Sequence, residues 1–185
     1  MMKTSVVVLL ALSVAACAGA PKTATQRENL EESARITLSR MEARDPGLRR
    51  VLDDAQAYVV FPSIGKGGAI VGGAFGRGVL FENDRPSGYV ELVQGSIGAQ
   101  LGGQTFAQLV VVRDSNTLRK IKGGRFDLGA DASVVALTTG AAASTSLDAD
   151  TTVFVMPLGG LMVDVSVSGQ TMTYRPWQIG ERDAG

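Results

Sequence analysis

The sequence contains no histidine and only one cysteine, Cys17. Without histidine, Ser-His-Asp triads and zinc or copper sites of the usual ligand types are excluded, and one cysteine cannot form an internal disulfide. What remains for chemistry is carboxylates, hydroxyls, lysine and tyrosine. An excess of charge is also missing, since 18 basic residues face 18 acidic ones. A nucleic-acid binder normally shows a strong basic surplus, so no nucleic-acid partner is expected.

The N-terminus also lacks the apolar length of a membrane-spanning helix, which is about 20 residues. Lys3 precedes a shorter uncharged run, residues 6–16, and Cys17 follows. One basic residue and an apolar stretch of about 7–15 residues describe a secretory signal peptide. The junction Val14-Ala15-Ala16-Cys17 resembles the bacterial lipobox, in which the thiol is diacylglycerylated and the chain is cut before the cysteine. That resemblance implies a signal peptide over residues 1–16, a membrane anchor at Cys17 and no free thiol for catalysis. Two acyl chains suffice for stable anchoring. Ala18 after the cysteine implies onward transport to the outer membrane, with the protein facing the periplasm. Residues 17–26 make a lipidated tether of small and polar residues, followed by one domain over 27–180 and a tail over 181–185.

Within the domain, Thr25 and Glu28 form a T-x-x-E capping box. Leu30, Ala34, Leu38 and Met41 follow at the spacing of one helix face. Asp45-Pro46-Gly47 stops that helix and starts a second, with Asp45 as N-cap and Leu48, Val51, Leu52 and Ala55 on its buried side. From Ala57 the period changes to two. The pattern predicts a strand over 57–61 ending at Pro62, then two strands with a hairpin near 74–76. A turn over 83–88 follows, with further strands over 89–94, 95–102 and 105–112. A short helix is expected at 115–122, capped by Asp114 or Ser115. Strands at 128–137 and 152–156, separated by a small-residue loop, precede a final hairpin of 161–168 with 170–174. The 23 glycines sit among Val, Ile, Ala and Phe, which points to strands that bend or pack closely. The fold class is therefore α+β, with N-terminal helices packed on a strongly curved, mostly antiparallel sheet or barrel.

Two catalytic motifs fail on inspection. No G-x-G-x-x-G or P-loop spacing is present among the glycines. Ser63-Ile64-Gly65-Lys66 matches S-x-x-K, but it follows Pro62, contains glycine and has no S-D-N or K-T-G partner motif. No enzyme activity, cofactor or metal is expected. Arg113, Arg119, Lys120, Lys122 and Arg125 form the one local concentration of positive charge. Such a run suits an anionic membrane surface, and equally a helix C-terminus. Tyr89 and Trp177 suit either a membrane interface or core or rim packing.

Residues 57–62 (AYVVFP) and 66–80 (KGGAIVGGAFGRGVL) resemble the opening of the SYLF domain. Gly88-Tyr89, residues 96–104 (SIGAQLGGQ), residues 128–133 (LGADAS) and Gly160-Leu161-Met162 continue the resemblance in order, from about Arg50 to Tyr174. The chain departs from the family pattern at Val90, where a second aromatic is common, and at Gln170, where a basic residue is common. The resemblance implies a mostly antiparallel domain with N-terminal helices, no known catalysis and binding of anionic lipid. On that basis Lys66 and Arg77, exposed by flanking glycines, would contact anionic phospholipid headgroups or another amphiphile, with Tyr89, Arg119, Lys120, Lys122 and Arg125. The alternative is a tethered scaffold that binds a protein of the cell envelope.

Overall fold

The computed structural model describes residues 21, 23–68, 71–97, 102–129, 132–144, 149–160 and 169–177. Helix α1 spans Ala24–Arg44. Its N-cap is Thr23, whose hydroxyl accepts a hydrogen bond from the Gln26 amide at 3.2 Å, so the helix starts before the expected box and Thr25 lies inside it. Asp45 ends α1, and Gly47 rather than Asp45 is the N-cap residue of α2, Leu48–Asp53. The Asp45 carboxylate still satisfies the corner. It accepts from the Gly47 amide at 3.0 Å and from the distant Ala142 amide at 2.7 Å.

Strand β1, Ala57–Gly68, does not stop at Pro62. Its register with both neighbouring strands slips next to this residue, between Val60 and Ser63 on one side and Phe61 and Ile64 on the other. A bulge tolerates a proline that lacks an N–H, so the strand continues. Strand β2, Val71–Glu82, is continuous, and no hairpin lies at 74–76; residues 69–70, between β1 and β2, lie outside the described residues. Asn83 and Asp84 both take left-handed φ values, 51° and 61°, giving a two-residue turn directly into β3, Arg85–Ile97. The turn expected over 83–88 is therefore shorter, and β3 runs unbroken through Gly95. Strand β4 is Gly102–Val112.

Helix α3, Ser115–Lys122, has the expected bounds, with the Asp114 carboxylate accepting from the Thr117 amide at 2.8 Å. The single strand expected over 128–137 is replaced by β5, Arg125–Asp127, and β6, Ser133–Ala136. The small-residue loop contains a short helix, α4, Ala141–Ser144. Strands β7, Thr151–Gly160, and β8, Gln170–Pro176, complete the domain; the strand expected over 161–168 lies outside the described residues.

The strands form one sheet in the order β5-β8-β3-β2-β1-β4-β7-β6, antiparallel except for the parallel β6–β7 pair. Eight strands laid flat would put β5 and β6 about 34 Å apart, at 4.8 Å per step. Residues 128–132 connect those two edges, and a chain that short spans at most about 20 Å. The sheet must curl, and it does. Gln108 on β4 and Gln170 on β8, four strands apart in the sheet, exchange side-chain hydrogen bonds of 2.9 and 3.3 Å across the interior.

Both faces of this half-barrel are packed. The inner face buries Val59, Phe61, Ile64, Leu80, Leu92, Val110 and Met172, with Ile121 of α3 closing one end. The outer face buries Tyr58, Val60, Val79, Phe81, Leu109 and Phe154 under Ala34, Met41, Leu48 and Val51 of α1 and α2. This double coverage explains why β1 and β4 are apolar on both phases of their alternation. Each large side chain so buried contributes about 1.5–3 kcal/mol. The described residues of both cores lie between Leu30 and Tyr174, so a fragment of residues 22–185 contains all of them.

Candidate functional site

The bulge at Pro62 turns β1 beneath the first turns of α1 and leaves a cleft of about 400 Å³ on the outer face. Leu30 and Ser33 of α1 form one wall. Pro62, Ser63 and Gly65 of β1 and Phe75 to Arg77 of β2 form the rest. Ser63 and Arg77 are direct cross-strand partners, and the Arg77 guanidinium carbon lies 5.6 Å from the centroid of the Phe75 ring. That cation–π contact holds the charge over an apolar surface. A side chain at Gly65 would meet nothing within 4 Å, so the cleft floor is open backbone there. The volume falls in the range of small-molecule sites, and the lining combines apolar surface, two hydroxyls and one cation.

Lys66 does not join Arg77. The two residues point to opposite faces of the sheet, and Lys66 is buried at 6% exposure, so its flanking glycines do not expose it. The same alternation separates Ser63 from Lys66, because Ser63 lies on the outer face and Lys66 on the inner. A serine–lysine pair is therefore not formed.

Lys66 belongs instead to a polar layer that sequence reasoning missed. Gln104, Lys66, Ala74, Gln94 and Gln170 are successive register partners across β4, β1, β2, β3 and β8, all buried. Gln108 joins them through its paired hydrogen bonds with Gln170. The neighbouring layer, Phe106, Ile64, Gly76, Leu92, Met172 and Phe126, is apolar. The available signal was phase: each glutamine keeps the parity of the inward apolar residues on its own strand. Gln170, where the sequence departs from the SYLF pattern, is thus an interior amide.

The basic residues of α3 and β5 form no common patch with Arg77. Lys122 donates to the Glu82 carboxylate at 2.8 and 3.2 Å, Arg125 pairs with Asp127 at 3.6 Å, and Arg119 donates to Asn116. Burial alone would raise the Glu82 carboxyl, but hydrogen bonds from Lys122 and Ser87 together with the Lys122 charge outweigh it and hold the group below its ordinary value. The hydrogen bond to Glu82 raises Lys122. Lys120 lines a separate cleft with Asp127 and Asp150. Glu82 lies eight residue steps along β2 from Ala74, the register partner of Lys66, a distance of about 26 Å along the strand. Tyr89 packs edge-to-face on Trp177, with ring centroids 5.9 Å apart, and the Trp177 amide donates to the Ser87 carbonyl. That is rim packing on the sheet. Cys17 lies outside the described residues.

The described residues thus form a curled sheet packed on both faces, with open clefts at its surface. Residues 93–177, from the middle of β3 to just past β8, match the family model described as Ysc84, Las17-binding protein actin regulator. The match supports a SYLF domain in this chain, and that family is one of binding domains not known to catalyse. No curated protein matches the chain.

Proposed function

We propose that this chain is a cell-envelope lipoprotein, held on the outer membrane through acyl chains on Cys17 and facing the periplasm, whose SYLF domain binds an anionic amphiphile such as a phospholipid. The observation that carries the reading is the outer-face cleft, where Leu30, Pro62 and Phe75 offer an apolar surface and Arg77 a cation. The apolar walls suit an acyl chain or glycerol edge, and the guanidinium with Ser33 and Ser63 suits a phosphate. Because two acyl chains already anchor the protein, the domain's own lipid site serves to orient it or to bridge to a second surface.

Vesicle flotation of residues 22–185 tests this. The fragment is expected to float with phosphatidylglycerol vesicles, to stay down with phosphatidylcholine vesicles, and to lose flotation in Arg77→Ala. Equal flotation with both vesicle types, or none, contradicts it.

A protein partner is the second reading. It is favoured by the mixed-charge surface around α3, where Lys122 and Arg125 are already paired with carboxylates, and by the protein-binding description of the matched family. Its mark is an envelope protein that co-purifies with the chain and survives neutralisation of Arg77, Arg119 and Lys120.

A further inference from the structure

Among the described residues the half-barrel does not close, and a second cleft lies at the seam beside its β5 edge. The chain leaves β5 through Leu128 and Gly129, and the described residues resume at Ala132, just before β6. A cleft of about 470 Å³ lies there, lined by Lys120 of α3, by Phe126, Asp127 and Leu128 at the β5 edge, by Ala132, and by Asp150 leading into β7. Its base is the inner core itself. Leu128 is 2% exposed, Phe126 packs against the same cluster, and the Leu128 amide donates to the Gln170 carbonyl.

The rim is charged with both signs. Lys120, Asp127 and Asp150 are all exposed at residue level. Asp127 is oriented by Thr171, whose hydroxyl donates to it at 2.5 Å, and by Arg125 at 3.6 Å. A carboxylate accepts about four hydrogen bonds, so Asp127 retains capacity for a ligand's donors. Two carboxylates and one ammonium lining a cleft with Phe126, Leu128 and Ala132 match a ligand that carries a cation, an anion and a short apolar group. The volume suits a molecule the size of a dipeptide.

We propose that the seam cleft binds a small zwitterion with an apolar side chain, an amino acid or short peptide. Asp127 and Asp150 take its ammonium, Lys120 takes its carboxylate, and Phe126, Leu128 and Ala132 take its side chain. This site shares no residue with the Arg77 cleft, so the two succeed or fail separately.

Isothermal titration of residues 22–185 with alanyl-leucine is the test, with O-phosphoethanolamine as the probe that keeps the ammonium and anion but has no side chain. Saturable binding of alanyl-leucine is expected, weakened about twofold to fivefold by Asp150→Asn and by Lys120→Met, the factor an ion pair at an exposed charge gives. Both changes fall on exposed side chains, and an unchanged thermal midpoint confirms that the fold is kept. Arg77→Ala should leave the affinity unchanged. No saturable binding at about 10 mM dipeptide, a concentration that detects even millimolar affinity, overturns the proposal. So does equal affinity for O-phosphoethanolamine, or binding that Asp150→Asn and Lys120→Met leave intact.

Discussion

Gly78 shows how closely β1 and β2 approach. A Cβ at this position would lie 2.6 Å from the Val60 carbonyl oxygen and 2.8 Å from the Phe61 ring. The first of these contacts is with backbone, which cannot swing aside, and Phe61 is itself fully buried. Gly78→Ala should therefore destabilise the domain by about 1–3 kcal/mol, the usual cost of overpacking a core. At Gly65, where nothing lies within 4 Å, the same change should fall within about 0.5 kcal/mol of the parent. Urea denaturation of the two variants measures the contrast, and equal midpoints would contradict this account of the β1–β2 contact. The paired amides of Gln108 and Gln170 make a sharper case. Gln170→Leu strands a buried Gln108 amide and should cost about 1–3 kcal/mol, whereas Gln108→Leu with Gln170→Leu removes both polar groups and should cost less than the sum of the single changes. An additive double mutant would show that the two amides are not coupled. At this scale the sequence was half legible. Arg77 was visible as a glycine-flanked cation and does line a cleft, but Lys66, chosen on the same grounds, faces inward. Parity decides between them, and parity is scrambled by a bulge that no single residue announces.

Among the elements, α3 was the easiest to see because its limits are local. Asp114 caps one end, Gly123 follows the other, and the intervening residues need no distant partner to be helical. Strand β1 was the hardest, because Pro62 ends a strand unless a bulge on both neighbouring registers accommodates it. The tie between α3 and β2 also sets a pH dependence. The Glu82 carboxyl is depressed in the folded state, so the stability it contributes is present above its unfolded value of 4.5 and is lost as the pH falls through the folded value. Lys122 is raised, so its share is present below 10.5 and lost as the pH rises above that. Both side chains remain partly exposed, which limits the pair to about 0.2–1 kcal/mol. Glu82→Gln should lower the thermal midpoint slightly at pH 7 and not at pH 3. A deficit that persists unchanged at pH 3 would assign the effect to packing instead of charge.

For the whole molecule, the α+β class and the curvature followed from helices placed before a glycine-rich run of strands, and both are present. The strand order did not follow, because β8 pairing with β3 and β7 with β4 are contacts between distant parts of the chain that leave no local mark. Nor did the two clefts described above, one where α1 crosses the bulge and one beside the β5 edge. The curl matters for function because it turns one sheet into two independent surfaces. The outer face carries Arg77 and Phe75 beneath α1, and the seam carries Lys120, Asp127 and Asp150 beside α3. Amide chemical-shift mapping of residues 22–185 with a short-chain phosphatidylglycerol places the lipid on one of these surfaces directly. The account predicts shifts concentrated at Ser33, Ser63, Gly65 and residues 75–77, abolished by Arg77→Ala; shifts centred on Arg119, Lys120, Lys122 and Arg125, or spread evenly over the domain, would contradict it.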